Sequence, residues 1–397
     1  MAGGSAGTLN VRRPRYVMLD LWRGAAALWV VIHHAALYAG TDATAAGTGV
    51  RDVLGRFVVR LAQGGWYGVP IFFVISGYCI AATAESHYRN GHAIKTFFWR
   101  RFRRIFPPYW AALAVTLAIY GVAALFSEGM ALNEKLAGFP PLRALTPLHW
   151  FGNLTLTDSW LHHVLGGESV ILLGPSWSLM YEEQFYLVCG LCLVLFGARF
   201  LRGAVGVTVL VGLVMLATRG SWPEGVAGFF FDGRWLLFAL GLAVYFYLNH
   251  AAARVRRLLL GGFALALTWS VALRNGWLGV LQSPIQRLMS AEFVAGALFA
   301  LVLIVFHRWD AAWRGHPALR PVAFLGRISY SLYIVHFPIA NLIAYGLFTL
   351  GVVSDWQVML ITIPIATGAS VLCGALFFHV VERRFLNSPT AGPVPDT

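Results

Sequence analysis

The chain has 397 residues, 58% of them hydrophobic and 12% charged, and a net charge of +13. A soluble domain carries about twice that charged share, which excludes an ordinary soluble protein and predicts an all-α, polytopic integral membrane protein. The excess of Lys and Arg does not point to nucleic acid, because its placement along the chain is explained by membrane topology.

Apolar runs close to the roughly 20 residues that a bilayer requires fall at 16–38, 66–84, 107–126, 177–197, 203–217, 229–248, 258–273, 290–307, 325–349 and 355–380, which predicts about ten spans. With the N-terminus inside, and Arg327 counted at the inner end of its span, 20 of the 30 Lys and Arg lie on the inner side, 8 on outer segments, and Arg23 and Arg234 within spans. This positive-inside bias predicts that both termini are cytoplasmic. The Ala-, Gly- and Arg-rich composition points to a bacterial inner membrane. Residues 1–386 are expected to form one transmembrane domain, with no soluble domain after it, and 387–397, NSPTAGPVPDT, a disordered cytoplasmic tail.

The first span, LDLWRGAAALWVVIHHAAL, contains Arg23, His33 and His34. Ionisable residues at bilayer depth are expensive and mark function by default. They also argue for a retained helix over a cleaved signal peptide. Arg23 and His34 are eleven residues apart, which returns them to one helix face about 16 Å apart along the axis. Asp20 lies within pairing reach of Arg23, so a structural ion pair near the inner surface also accounts for that arginine. A hydrogen-bonded packing role is the plain alternative for His34.

The second inner loop ends in FFWRRFRRIFPPYW, with Arg100, Arg101, Arg103 and Arg104 ahead of the third span at Pro107. Topology alone accounts for such a cluster. Guanidinium groups are also suited to phosphate oxygens, and Arg23 would join them at the inner face. The outer stretch 127–175 mixes aromatics with His149, Asn153, Asp158, His162 and His163, and is either an ordinary long loop or a segment folded back over the spans.

The fourth span opens with PSWSLMYEEQFYL, placing Glu182 and Glu183 near the outer end of a helix. Carboxylates there are favoured by the helix dipole, and chemistry is the other reading. In FLGRISYSLYIVHFPI of the ninth span, Ser329, Tyr333 and His336 share one face. Two buried histidines and a carboxylate from three helices make a plausible acid/base set. Cys79, Cys189, Cys192 and Cys373 fall within spans and read as small packing residues; no metal site is expected.

Taken together these blocks resemble the acyltransferase 3 family of membrane-bound acyltransferases, multi-span proteins that O-acylate carbohydrates and other hydroxylated acceptors. LDLWRGAAALWVVIHH is similar to its first-helix signature. VPIFFVISGYCIA (69–81), RRFRRIFPPYW, SWSLMYEEQFYL, FLGRISYSLYIVHFPI and VVERRF (380–385) resemble its later blocks in order, over nearly the whole chain. The resemblance implies acyl-CoA, acetyl-CoA in the first instance, as a donor substrate bound from the cytoplasm, with no permanently bound cofactor. It implies a carbohydrate or glycolipid acceptor reached from outside. It also implies that His34 is the catalytic base or acyl-accepting centre, that Arg23, Arg101 and Arg103 assist donor binding with Arg104 in the same doubled cluster, and that Glu182 fills the conserved acidic position.

The expected activity is therefore acyl-CoA-dependent O-acylation of a sugar hydroxyl. His34, Glu182 and His336 are expected around one cavity, with Glu182 or His336 positioning the acceptor or the imidazole. A transporter of a polar or lipid-linked substrate is the alternative; the chain shows no inverted repeat of the kind many transporters carry. Lipopolysaccharide, exopolysaccharide, peptidoglycan, a nodulation-type oligosaccharide and a macrolide sugar all remain open as acceptors.

Overall fold

An apolar chain surrounded by lipid satisfies its backbone polar groups internally, and helices do so within one segment. The computed structural model describes residue 16 and residues 18–37, 49–125, 142–217, 228–275, 284–313 and 315–386, and these residues contain no strand. Arg12, Arg13, Arg15 and the tail 387–397 lie outside the described residues.

The helices are, in order, α1 (Met18–Ala35), α2 (Val50–Gln63), α3 (Gly68–Arg89), α4 (Ile94–Leu125), α5 (Pro147–Thr155), α6 (Asp158–Leu165), α7 (Ser176–Phe196) and α8 (Phe200–Ala217). There follow α9 (Trp235–Asn249), α10 (Ala253–Arg274), α11 (Pro284–Phe306), α12 (Asp310–Trp313), α13 (Arg320–Arg327) and α14 (Ser329–Thr349). The short α15 (Asp355–Gln357) runs through a π-helical turn into α16 (Ile363–Val380).

Helix occupies every stretch expected to span. Among the described residues, seven segments are long and apolar enough by themselves to cross a membrane, and α9 is a shorter apolar helix. One of the seven, Ser176–Met215, holds both α7 and α8, which reverse at Gly197 with φ of 52°. The first helix is not among the seven, because Asp20, Arg23, His33 and His34 dilute its apolar residues. Large apolar side chains such as Leu258 and Leu265 on α10, and Leu372 and Leu376 on α16, are exposed and form a lipid-facing surface. The protein is multi-pass.

The polar first helix sits at the centre, packed against α3, α13, α14 and α16. Close approach depends on missing side chains. A Cβ at Gly241 of α9 would lie 2.0 Å from Val74 O, and one at Gly77 of α3 would lie 2.2 Å from Phe238 O, so the two backbones touch. Beside that contact, Phe73, Phe185, Trp235 and Phe238 build an aromatic core, with Phe73 and Phe238 centroids 4.9 Å apart.

Two elements depart from expectation. The arginine cluster does not end a loop: α4 begins at Ile94 and runs unbroken through Pro107 and Pro108. A proline removes only its own N–H and crowds the preceding turn, while Phe97, Arg101, Ile105 and Tyr109 are buried at every fourth position and hold the segment helical on both sides. The stretch before the second expected span contains α2, which buries Gly55, Val59 and Ala62 and leaves Val53, Leu54, Phe57 and Leu61 exposed.

The described part of the long stretch between the third and fourth expected spans, 142–175, folds back onto the helices. Tyr109 and Trp110 of α4 donate to Asn153 O and Leu154 O, each at 2.9 Å. Asn153 is wholly buried; its amide donates to His149 O and Val170 O, and its Oδ1 accepts from Leu172 N at 2.9 Å. Asp158 accepts from Ser169 Oγ and Val170 N, while His149 and His162 bond to backbone carbonyls. These polar groups shape the segment.

Candidate active site

Small residues Ala26 and Ala27 let α1 approach its neighbours, and one turn beyond Val30 the helix presents His34. Across from it, on α14, His336 is wholly buried. Its Nδ1 lies 2.8 Å from Tyr333 O and 3.2 Å from Leu332 O. A carbonyl only accepts, so His336 carries its hydrogen on Nδ1 and keeps a lone pair on Nε2. That Nε2 is 3.2 Å from His34 Nδ1, which is also 2.9 Å from Val30 O. Two acceptors therefore meet the Nδ1 of His34, assigning its hydrogen to that atom and its lone pair to Nε2.

His34 lines a cavity of about 180 Å³ together with His33, Trp66, Val69, Gly174, Pro175, Trp177 and Tyr333 among others. Its wall is aromatic and, apart from the imidazoles, uncharged. Trp66 and Trp177 stack with centroids 5.7 Å apart. Gly65 brings the wall close: a Cβ there would stand 2.1 Å from Trp29 O. Adjoining His33 is held by an Nδ1 contact of 2.7 Å to Gln63 O, so both histidines of the pair reach the cavity.

A second cavity, of about 90 Å³, is lined by Arg23, Arg101, Arg104, Glu182, Ser76, Cys79 and Tyr330 among others, and again by Tyr333. Arg101 is buried and already engaged: Nη2 lies 3.0 Å from Glu182 Oε1, Nε donates to Glu183 Oε1 at 3.0 Å, and the guanidinium sits 3.8 Å from the centre of the Tyr186 ring. Ser76 Oγ donates to the same Glu182 oxygen at 2.9 Å. Arg23 is 3.8 Å from Asp20, a loose pair. Arg104 has no ion pair within 4.0 Å among the described residues.

The two cavities are stacked along the bundle. On α1 and α14 the arginine cavity is N-terminal to the histidine cavity, at Arg23 against Val30–His34 and at Ser329–Tyr333 against Tyr333–Phe337. On the antiparallel α7 the order is reversed, with Gly174–Trp177 at one cavity and Ser178–Tyr186 at the other.

Several expected placements change. His34 and His336 come together, but His336 is wholly buried behind His34 and does not line the cavity, and Glu182 does not join them; it faces the arginine cavity, drawn there by Arg101 and Ser76. Arg103 points away from both cavities and donates to Arg384 O at 3.1 Å, because it lies on the exposed face of α4. Arg101 and Arg104, three residues apart, are the arginines turned inward. The four cysteines are unpaired thiols, as expected of packing residues.

Sequence reading missed a further polar cluster behind the aromatic wall. Arg234 donates to Tyr181 Oη at 2.9 Å and Asp232 Oδ2 at 3.1 Å, lies 3.6 Å from Glu292, and places its guanidinium 5.1 Å from the centre of the Trp177 ring. Glu292 was findable as the single acid of its span. Glu382 in the C-terminal VVERRF block is buried, accepting from Ser331 N at 3.0 Å and from Ser331 Oγ, and so ties that block to α14.

The sequence profile of a family described as "Acyltransferase domain" matches residues 16–379. The peptidoglycan O-acetyltransferase OatA of Listeria monocytogenes is 28% identical over 321 residues, 71% of this chain and 46% of that protein. The putative peptidoglycan O-acetyltransferase YrhL of Bacillus subtilis is 24% identical over 354 residues, 81% of this chain and 50% of that one. A putative O-acetyltransferase of Staphylococcus aureus, SACOL0978, is 23% identical over 352 residues, 84% and 55% respectively. The chain thus spans about half the length of the curated relatives it matches. No solved structure matches it.

Proposed function

Since the chain belongs to the acyltransferase 3 family, we propose that it moves an acetyl group from acetyl-CoA, bound from the cytoplasmic side, to a hydroxyl of a carbohydrate acceptor that enters from outside. Relatives named for O-acetylation of peptidoglycan support an acceptor of that class. The observation that carries the reading is the contact of His34 Nδ1 with both Val30 O and His336 Nε2. With Nδ1–H shared between Val30 O and His336 Nε2, the lone pair of Nε2 serves the cavity.

In this reading the acceptor hydroxyl gives its proton to His34 Nε2 as its oxygen attacks the thioester carbonyl. His336 is a positioning residue. It accepts from His34 Nδ1–H, fixes the ring and spreads the charge that the ring acquires. The two imidazoles are not both cationic, because two cationic rings would turn N–H groups toward each other across 3.2 Å, and the proton acceptor in this reading is neutral His34. Collapse of the tetrahedral adduct breaks the carbon–sulfur bond, and the departing thiolate takes the proton back from His34.

The donor's phosphates fit the arginine end. Arg23 and Arg104 supply the positive charge, whereas Arg101 is neutralised by Glu182 and Glu183 and holds α4 against α7. The uncharged, aromatic histidine cavity suits a neutral polyhydroxylated ring.

The test is thiol release from acetyl-CoA by the purified full chain in nanodiscs, with and without soluble peptidoglycan fragments. Acceptor-dependent release that disappears in His34→Ala is expected. Release that does not depend on acceptor, or that survives in the variant, contradicts the reading. Accumulation of acceptor inside proteoliposomes carrying the chain, without thiol release, would favour transport.

A further inference from the structure

Acyl transfer through a tetrahedral adduct needs a hydrogen-bond donor aimed at the oxygen that becomes negative. Such a donor belongs where the thioester must sit: beyond the arginine end and before His34. Among the residues lining the two cavities, Tyr333 alone lines both. It stands one turn before His336, and its backbone carbonyl accepts the His336 Nδ1–H.

The Tyr333 hydroxyl is also placed by its own partners. It lies 2.7 Å from Ser178 Oγ and 3.3 Å from Pro175 O. Ser178 Oγ itself lies 3.1 Å from the same carbonyl. Two hydroxyl hydrogens therefore meet one shared carbonyl oxygen and each other's oxygens, so the Tyr333 hydrogen can turn away while the Ser178 hydrogen keeps the bond to Pro175 O. The Phe72 ring, with its centroid 5.3 Å from that of Tyr333, fixes the phenol edge-on. The residue is 7% exposed, so its hydroxyl acts in a site with little water to compete.

We propose that Tyr333 is a catalytic residue, its hydroxyl donating to the thioester carbonyl oxygen as that oxygen becomes the oxyanion, while Ser178 Oγ keeps the bond to Pro175 O. The inference rests on reading the two cavities as donor and acceptor ends of one reaction. In the step itself the acceptor oxygen forms a bond to the carbonyl carbon, the C=O π pair moves onto oxygen, and the acceptor proton goes to His34 Nε2. The phenol hydrogen stays on Tyr333 throughout, and on collapse the oxyanion pair re-forms the carbonyl as the thiolate leaves. No other reactant is needed.

A role confined to packing or gating predicts different kinetics. Tyr333→Phe keeps the ring against Phe72 and removes only the hydroxyl. In nanodiscs, with acetyl-CoA and soluble peptidoglycan fragments, the variant is expected to lose about 10²-fold in kcat, with KM for both substrates within about threefold of wild type. Replacing Tyr333 by ring-fluorinated tyrosines keeps hydroxyl and ring while making the phenol more acidic, and kcat is expected to change systematically with that acidity. Unchanged kcat in Tyr333→Phe, a loss confined to KM, or indifference of kcat to fluorination overturns the proposal. Wild-type protein that releases no thiol from acetyl-CoA under any acceptor overturns the two-cavity reading itself, a result distinct from an active wild type matched by Tyr333→Phe.

Discussion

A histidine acts as a base only through a nitrogen that carries no proton, and at His34 that nitrogen is selected by backbone carbonyls on two helices. His336→Ala leaves Val30 O as the acceptor for His34 Nδ1–H. The expected loss is about 10²-fold in kcat with little change in either KM, read from initial rates; equal kcat would remove His336 from the mechanism. The two inward arginines should separate cleanly. Arg104→Ala raises KM for acetyl-CoA by roughly 10-fold, the value of a charged hydrogen bond, and leaves thermal stability intact. Arg101→Ala leaves Glu182 and Glu183, both only partly exposed, without their partner and lowers stability by about 1–3 kcal/mol, seen as an earlier unfolding transition in detergent. The reverse assignment of effects would show that Arg101 is the free cation. His34 and His336 were legible as polar residues inside apolar runs. The place of Glu182 was not, since its partners Arg101 and Ser76 come from other helices and no spacing along α7 reveals them.

At the level of elements, periodicity announced the long apolar helices because lipid demands them, whereas boundaries followed from tertiary contacts. Burial at Phe97, Arg101, Ile105 and Tyr109 carries α4 back past two prolines to Ile94, and it decides which arginines turn inward. The segment 142–175 could not be told from a plain loop, because its ordering depends on pairings such as Tyr109 to Asn153 O that join distant parts of the chain. Those pairings hold part of the wall of the histidine cavity: Asn153 bonds Val170 and Leu172, just before Gly174 and Pro175, which line it. Asn153→Ala is therefore expected to lower stability by about 1–3 kcal/mol and to raise KM for the acceptor while KM for acetyl-CoA stays constant. A change in donor KM instead would place this segment at the wrong end of the reaction path.

Across the whole molecule, the central helix serves both cavities, Arg23 at the charged end and Val30, His33 and His34 at the neutral end; α14 follows the same chain order and antiparallel α7 the reverse. Sequence spacing suggested this polarity, since Arg23 and His34 share a face. The division into two cavities meeting at Tyr333 emerges only when α3, α4, α7 and α14 are packed around α1. The central claim is transfer between these two ends through His34. It is tested most directly in proteoliposomes that enclose soluble peptidoglycan fragments and receive radiolabelled acetyl-CoA only from outside. Labelled O-acetyl ester on the enclosed glycan with wild-type protein, and none with an equally inserted His34→Ala variant, is the predicted result. Ester formed at the wild-type rate by His34→Ala, or formed only on glycan supplied on the same side as the donor, would contradict it.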